Sequence, residues 1–545
     1  KGIKFASTFS YDFVMNKSRA WKDPRTSDGD DDNGRFSKDY NDITNMTWSN
    51  ILTYQTKIKK KHNLDLLVGY EINSKESDGL GTTISNFARW DKPEVNNGVV
   101  YQSMGGSNST TRIVSYITRA NYDYDNKYYL GASWRTDGSS RLARENRWGN
   151  FWSLSGAWRV SSESFMKPLQ NWLSDLKLRV SYGVNGTLPS SYYGYMGLSS
   201  LTSNYNDNPG ITQSQLENKE LTWETNYNFN SGIDLGFFDN RLNITFEYYV
   251  RTTKNLLYSR PLSLATGFSS YLANIGKLQN KGYELEIRST NIETKDFRWS
   301  TSLNLGHNAN KILKLDGDLK QVTSGTSIHK VGLPYSTYYM IEFAGIDPAD
   351  GEPMFYKNTA DENGNLNKET TKDPRSAEKV ILQCADPTIT GGLGNSISYK
   401  WFDLNFNVNF SFGAWNYDGA AGKLEHGGDG TLNIPIYYRK RWQKEGDETS
   451  IERFVVGRSI SMTDYATTRR LYSGDYVRLK NLTFGFTLPK TWTRKVGIDN
   501  IRLYASGNNL LTWAAYDYID PESGSSPSWD TPPMRTYTFG LEVKF

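Results

Sequence analysis

The sequence predicts an all-β protein, a large antiparallel transmembrane β-barrel, and three observations carry that prediction. Apolar and polar residues alternate with period two along the whole chain, and the runs reach the roughly 9 to 11 residues that a tilted strand needs to cross a bilayer. Aromatic residues make up 14% of the chain, with 36 Tyr, 24 Phe and 16 Trp, while mean hydropathy is only −0.65. No run approaches the roughly 18 apolar residues of a membrane helix. A barrel reconciles these facts, because only every second strand residue meets lipid and Tyr and Trp collect at the two interfaces. It also accommodates 545 residues, since a barrel grows around a circumference whereas a soluble core stops growing at about 250 to 300 residues.

The alternation is clearest in DLNFNVNFSF, where Leu404, Phe406, Val408, Phe410 and Phe412 alternate with Asn405, Asn407, Asn409 and Ser411. Leu64, Leu66, Val68, Tyr70 and Ile72 repeat the scheme, as do Leu176 to Val184 and Leu242 to Val250. The chain opens in the same way, with Ile3, Phe5, Phe9, Tyr11 and Phe13. Charges occupy the other parity, among them Lys177, Arg179, Glu284, Glu286 and Arg288. Lys or Arg on the lipid side at mid-bilayer costs about 2 to 4 kcal/mol, so this parity faces a hydrated lumen.

Connections alternate between short and long. Residues 291–297 and 488–500 read as short periplasmic turns, and 413–475 and 514–535 as long outer loops, if the last strand descends to the periplasm. Counting this way gives about 18 to 22 strands. The barrel is expected to fill residues 1–545. No export signal opens the chain, so further sequence is expected upstream.

A net charge of +4, from 63 basic and 59 acidic side chains, argues against nucleic acid as a partner. The single cysteine, Cys384, has no partner for an internal disulfide, and His62, His307, His329 and His426 lack metal-ligand spacing. The glycines at 428–430 have no phosphate-loop context, and Asp347 and Asp350 read as turn formers rather than a catalytic pair. No catalytic residue is predicted.

The chain ends RTYTFGLEVKF, with Tyr537, Phe539, Leu541, Val543 and the terminal Phe545 on one face. Phe545, in phase with that face, resembles the signal read by barrel-assembly machinery. Six segments, at 129–163, 280–315, 344–353, 441–454, 474–489 and 501–522, resemble in order the recurring barrel segments of the SusC/RagA-type TonB-dependent transporters of Bacteroidota. Among them are NKGYELEIRSTNIETKDFRWSTSLNLGHNANKILKL, AGIDPADGEP and GDYVRLKNLTFGFTLP. The resemblance implies an outer-membrane barrel of about 22 strands that imports oligosaccharides or peptides. It further implies an N-terminal plug, energy from TonB, a SusD-like surface lipoprotein as lid, and pairing of two transporter–lipoprotein units. The plug, the TonB box and the first strands are not seen in this sequence, so a longer polypeptide or a separate plug chain is expected. The competing readings are a passive porin or surface-binding barrel without energy coupling, and a secreted all-β carbohydrate-binding enzyme.

Two sets of residues are candidate sites. Asp28, Asp30, Asp32 and Asp39 occupy positions 1, 3, 5 and 12 of a calcium-loop template, with the glycine one place late at Gly34. A solvated acidic outer loop is the competing reading. Trp415, Tyr417, Tyr437, Tyr438, Trp442 and Trp529 lie in the predicted outer loops, where rings stack on sugar or peptide faces with little loss of side-chain entropy. Against this stands the interfacial girdle, which also consumes Trp and Tyr. Beyond calcium no cofactor is expected.

Overall fold

The computed structural model describes every residue except 1, 207, 316, 318, 429–432, 458–464, 517 and 524–530, which places Trp529 outside the described residues. Sixteen long strands form one sheet in which neighbours follow chain order. They are β1 Gly2–Lys22, β2 Arg35–Ile58, β3 His62–Phe87, β4 Gly98–Tyr124, β5 Tyr128–Ser139, β6 Trp148–Arg159, β7 Leu173–Thr187 and β8 Glu224–Phe237. Then come β9 Leu242–Lys254, β10 Lys277–Glu293, β11 Phe297–Lys314, β12 Ile389–Tyr399, β13 Phe402–Phe412, β14 Tyr476–Thr487, β15 Asn500–Ala514 and β16 Thr536–Lys544.

The predicted boundaries hold closely in the last part of the chain, where β13 ends at Phe412 and β14 starts at Tyr476. The count does not reach 18. The other strands pair in short sheets inside the long connections, such as 198–205 with 208–215 and 415–417 with 471–473. Alternation marks any half-buried strand, and cannot by itself separate a wall strand from a loop hairpin. Strands β1 to β4 run 21 to 27 residues, far more than a bilayer crossing requires.

By packing, the chain divides into two compact units. The first comprises Lys1–Trp158, Arg179–Phe229 and Thr252–Gly276; the second comprises Arg159–Leu178, Asn230–Arg251 and Lys277–Phe545. In the first, β1 and β2 pair in continuous register from Gly2↔Gln55 to Lys22↔Arg35. Side chains across such a ladder share a face, so Phe5, Phe9 and Phe13 stand with Leu52 and Trp48, and Ile3, Phe5 and Phe9 are 71%, 64% and 66% exposed. So large an apolar area left uncovered by protein is a lipid-facing surface. Rings stack at the strand ends, as Tyr124, Tyr128 and Trp158 do beside the turn after β4. That turn reverses in tight left-handed steps at Asp125 and Asn126, with φ of 56° and 54°. In this unit the connections after β5 and β7 bring Leu142, Leu221 and Trp223 onto Phe151 of β6 in one apolar core.

In the second unit, β13 pairs β12 and β14 so that Leu404 meets Ile397 and Phe484, and Asn407 meets Gly394 and Asn481. The apolar and amide faces therefore separate as the sequence predicts. The β13–β14 register shifts between Asn407 and Val408, where Lys480 is the additional residue on β14, and β14–β15 shifts at the same point. A bulge exchanges the faces of the residues beyond it. Leu482, Phe484 and Phe486 share the apolar face below it, Val477 and Leu479 above it, so Tyr476 and Arg478 join the polar face.

Candidate functional site

The polar face of β9 to β14 in the second unit encloses a cavity of about 740 Å³. Thr245, Glu247, Glu284, Asn304, Asn409 and Tyr476 line it. Two adjoining cavities, of about 490 and 330 Å³, continue along the same wall past Glu286, Arg288, Asn407 and Ser302. Period two delivers one amide, hydroxyl or carboxylate per strand per layer to this surface. Gly392 and Gly394 leave room that the side chains of Asn304, Asn409, Ser302 and Asn407 approach. Such a wall both donates and accepts hydrogen bonds, as a hydrated lumen requires.

Connection 413–475, which joins β13 to β14, is built around a buried ionic and aromatic network. Glu452 is fully buried; it accepts a hydrogen bond from the Tyr438 hydroxyl at 3.0 Å and pairs with Arg469. Glu425 accepts from the Tyr437 hydroxyl at 2.5 Å and pairs with Arg470 at 3.3 Å. Burial, reinforced by these carboxylates, holds both phenols protonated well above the usual tyrosine range. Asp418 uses both oxygens: one accepts the Ala421 N–H at 2.7 Å and caps the helix Gly419–Leu424, and the other accepts the Tyr516 hydroxyl at 3.0 Å. Tyr516 stacks on Tyr472 with centroids 3.7 Å apart, and Tyr518 lies 5.3 Å from Tyr516 and 5.5 Å from Tyr437. A buried ionic cluster is stable only when each charge is matched and hydrogen-bonded, which is the arrangement here.

The predicted aromatic residues do not form one surface. Trp415 and Tyr417 sit on one short strand, where they pack against the core of Tyr338, Met340 and Leu471. Tyr438 is buried and Tyr437 half-buried in the ionic network. Trp442 is anchored elsewhere: its indole N–H donates to the Pro348 carbonyl at 2.9 Å, and its ring covers Gly351, whose φ of 72° and close ring contact leave no place for a side chain. Sequence reasoning missed Tyr472, Tyr516 and Tyr518. The last two continue an alternation beyond Ala514 into a segment that leaves the sheet.

The four aspartates are not brought together. Asp28 accepts from the Thr26 hydroxyl, Asp32 pairs with Arg35 at 2.6 Å, and Asp39 lies within β2 and accepts from Ser18 of β1. Among the described residues no group of three or more His, Cys, Asp or Glu side chains is placed to hold a metal. Cys384 is half-buried, its thiol pushed up by burial. Phe545 is 90% exposed at the end of β16, next to the apolar row of Phe539 and Leu541.

Comparison with known proteins gives consistent matches. Residues 3–510 match the profile of the TonB dependent receptor-like β-barrel family. The whole chain is 32% identical to TonB-dependent receptor P3 of Formosa agariphila, covering 56% of that protein. Over 79% of the chain it is 30% identical to TonB-dependent receptor SusC of Bacteroides thetaiotaomicron, covering 44% of it. The structure of the RagAB peptide transporter superposes on the full chain with a TM-score of 0.87 at 27% identity, with 60% of that chain covered. The chain thus spans about half the length of these relatives, from 44% to 60%.

Proposed function

The chain belongs to the TonB-dependent receptor-like β-barrel family, of the SusC and RagA type, in the bacterial outer membrane, and from that premise we propose that it forms the wall of an active importer. In this reading oligosaccharides or peptides bind at the outer loops and pass along the polar lumenal wall. TonB supplies energy through a plug, carried by a longer polypeptide or by a separate chain, and a SusD-like lipoprotein closes the outer mouth. The observation that carries the reading is the pairing of an amide and carboxylate wall with an aromatic-bearing outer loop network in the same unit. Such a wall offers many weak, exchangeable hydrogen bonds, which suit a moving ligand better than a tight one. The name of the RagAB peptide transporter favours peptides; oligosaccharides are the alternative that the sequence resemblance implies.

The test is uptake by cells expressing the full-length protein, with and without TonB, together with identification of copurifying chains. Uptake abolished by loss of TonB, with a lipoprotein and a plug copurifying, is the expected result. Uptake indifferent to TonB would favour the passive barrel.

A further inference from the structure

From the bulge in β14 we infer that Arg478 is a positioning residue: it straps the outer segment 518–523 across the lumenal mouth and limits access to the wall below. Were β14 regular through Lys480, its period would turn Arg478 toward the apolar face with Phe484 and Phe486. The bulge instead aims it to the polar face, where its backbone neighbour across β13 is Asn409. There Arg478 is 2% exposed, and each end of its guanidinium has an acceptor. Nε donates to the Thr512 hydroxyl at 3.0 Å, Nη1 to Glu522 at 2.6 Å and Nη2 to Asp520 at 2.6 Å. Lys480, the bulged residue itself, adds a second cation on Glu522 at 2.6 Å.

The far side of this clamp is preorganised. Asp520 gives Oδ2 to Arg478 while its Oδ1 accepts the Glu522 N–H at 2.9 Å, and its carbonyl accepts both the N–H and the hydroxyl of Ser523. The acids are therefore presented by a closed turn. A second attachment lies just before it, where Tyr516 stacks on Tyr472 and donates to Asp418. Between the two attachments Ile519, Asp520 and Pro521 line, together with the half-buried Ser473 and Asn416, a cavity of only about 20 Å³. A strap tied by one charge cluster and one aromatic stack can be released by anything that competes for either. The proposal rests on the lumenal reading above only for what the strap admits.

The experiment uses the full-length protein with Cys384→Ser and a reporter, Ser473→Cys, labelled by a membrane-impermeant polar maleimide without substrate or TonB. Labelling slow in this parent and accelerated about tenfold or more by Arg478→Gln is expected, because local opening sets the exchange rate of a covered site. Arg478→Glu combined with Glu522→Arg should bring labelling back toward the parent rate, which a merely structural loss would not do. If Arg478→Gln fails to assemble, Glu522→Gln, changed on the exposed side, gives the same reading. Unchanged labelling in both overturns the strap. So does equal acceleration by Asp403→Asn, which would mean a general loosening of the barrel. Because labelling needs neither substrate nor energy, failure of uptake leaves this result standing, and the reverse.

Discussion

Asp403 and Arg502 sit on strands that are not neighbours, yet their side chains meet at 2.7 Å across Gly485 of the strand between them. A Cβ at Gly485 would come within 2.3 Å of the Asp403 carboxylate and 2.6 Å of the Arg502 guanidinium. The pair is about a quarter exposed, and such a pair is worth only about 0 to 1 kcal/mol. The steric wedge is the larger effect, at about 1 to 3 kcal/mol. Gly485→Ala should therefore lower the thermal midpoint of the barrel, read by heat-modifiable gel mobility, more than Asp403→Asn does. Equal midpoints would mean that the pair, and not the gap that admits it, holds the three strands.

The two faces of β13 are distinguishable in the same way that the sequence distinguishes them. Spin labels at 404, 406, 408 and 410 should contact lipid-soluble oxygen, and labels at 405, 407 and 409 water-soluble nickel. A uniform aqueous response along all seven would remove the membrane assignment.

The legible parts of this fold are those fixed by period two and by connection length, so the boundaries at 412, 476 and 514 could be read directly. What could not be read depends on partners distant in sequence. Nothing local tells that Trp442 closes on Pro348, 94 residues away, or that Glu452 awaits Tyr438 and Arg469 rather than solvent. The bulge at Lys480 was written in RLKNLTF, where the apolar parity steps out of phase. Alternation alone cannot say whether such a step ends a strand or turns it. Tyr516 and Tyr518 were hidden for a related reason, since they continue a strand's rhythm in a segment that leaves the sheet.

Glu452→Gln should act on the outer loops and spare the barrel. The carboxylate is fully buried between Tyr438 and Arg469, and removing its charge leaves Arg469 with Glu425 at 3.8 Å. Breaking one side of a buried pair costs about 3 to 5 kcal/mol. Faster protease cleavage within 413–475, with an unaltered thermal midpoint of the strands, is the expected outcome; intact loops would show that Glu425 alone satisfies Arg469.

His329 makes the connection 315–388 sensitive to acid. Burial lowers its pKa below the usual 6.5, and its ring stacks on Tyr335 at 4.1 Å. A histidine held neutral in the fold binds its proton more weakly there than in the unfolded loop. The stability it confers is thus complete above about 6.5 and declines as pH falls through the folded value. Protection in 321–341, read as hydrogen exchange corrected for its intrinsic pH dependence, should fall between pH 7 and 5 in the parent and stay flatter in His329→Phe; parallel slopes would assign the effect elsewhere.

On the proposed function, ligand contact is expected at Tyr518 before Trp442, although both are aromatic loop residues. Tyr518 is 69% exposed and stands at about 56° to its neighbours Tyr516 and Tyr437, so one face of a ring is free to stack on a sugar or a peptide plane. Trp442 has spent its indole N–H on Pro348 and its ring face on Gly351. Losing a stacked ring weakens binding by about 1 kcal/mol or somewhat more, roughly a factor of five to ten in affinity. Tyr518→Ala should show that loss by calorimetry with loops as protease-resistant as the parent. Trp442→Ala should loosen the 344–353 turn first, and weaken binding only as far as the turn's order supports the neighbouring loop. If Trp442→Ala reduced affinity while leaving proteolysis unchanged, the ring would have to be reaching ligand by a face that here lies against Gly351, and the assignment of the two residues would be reversed.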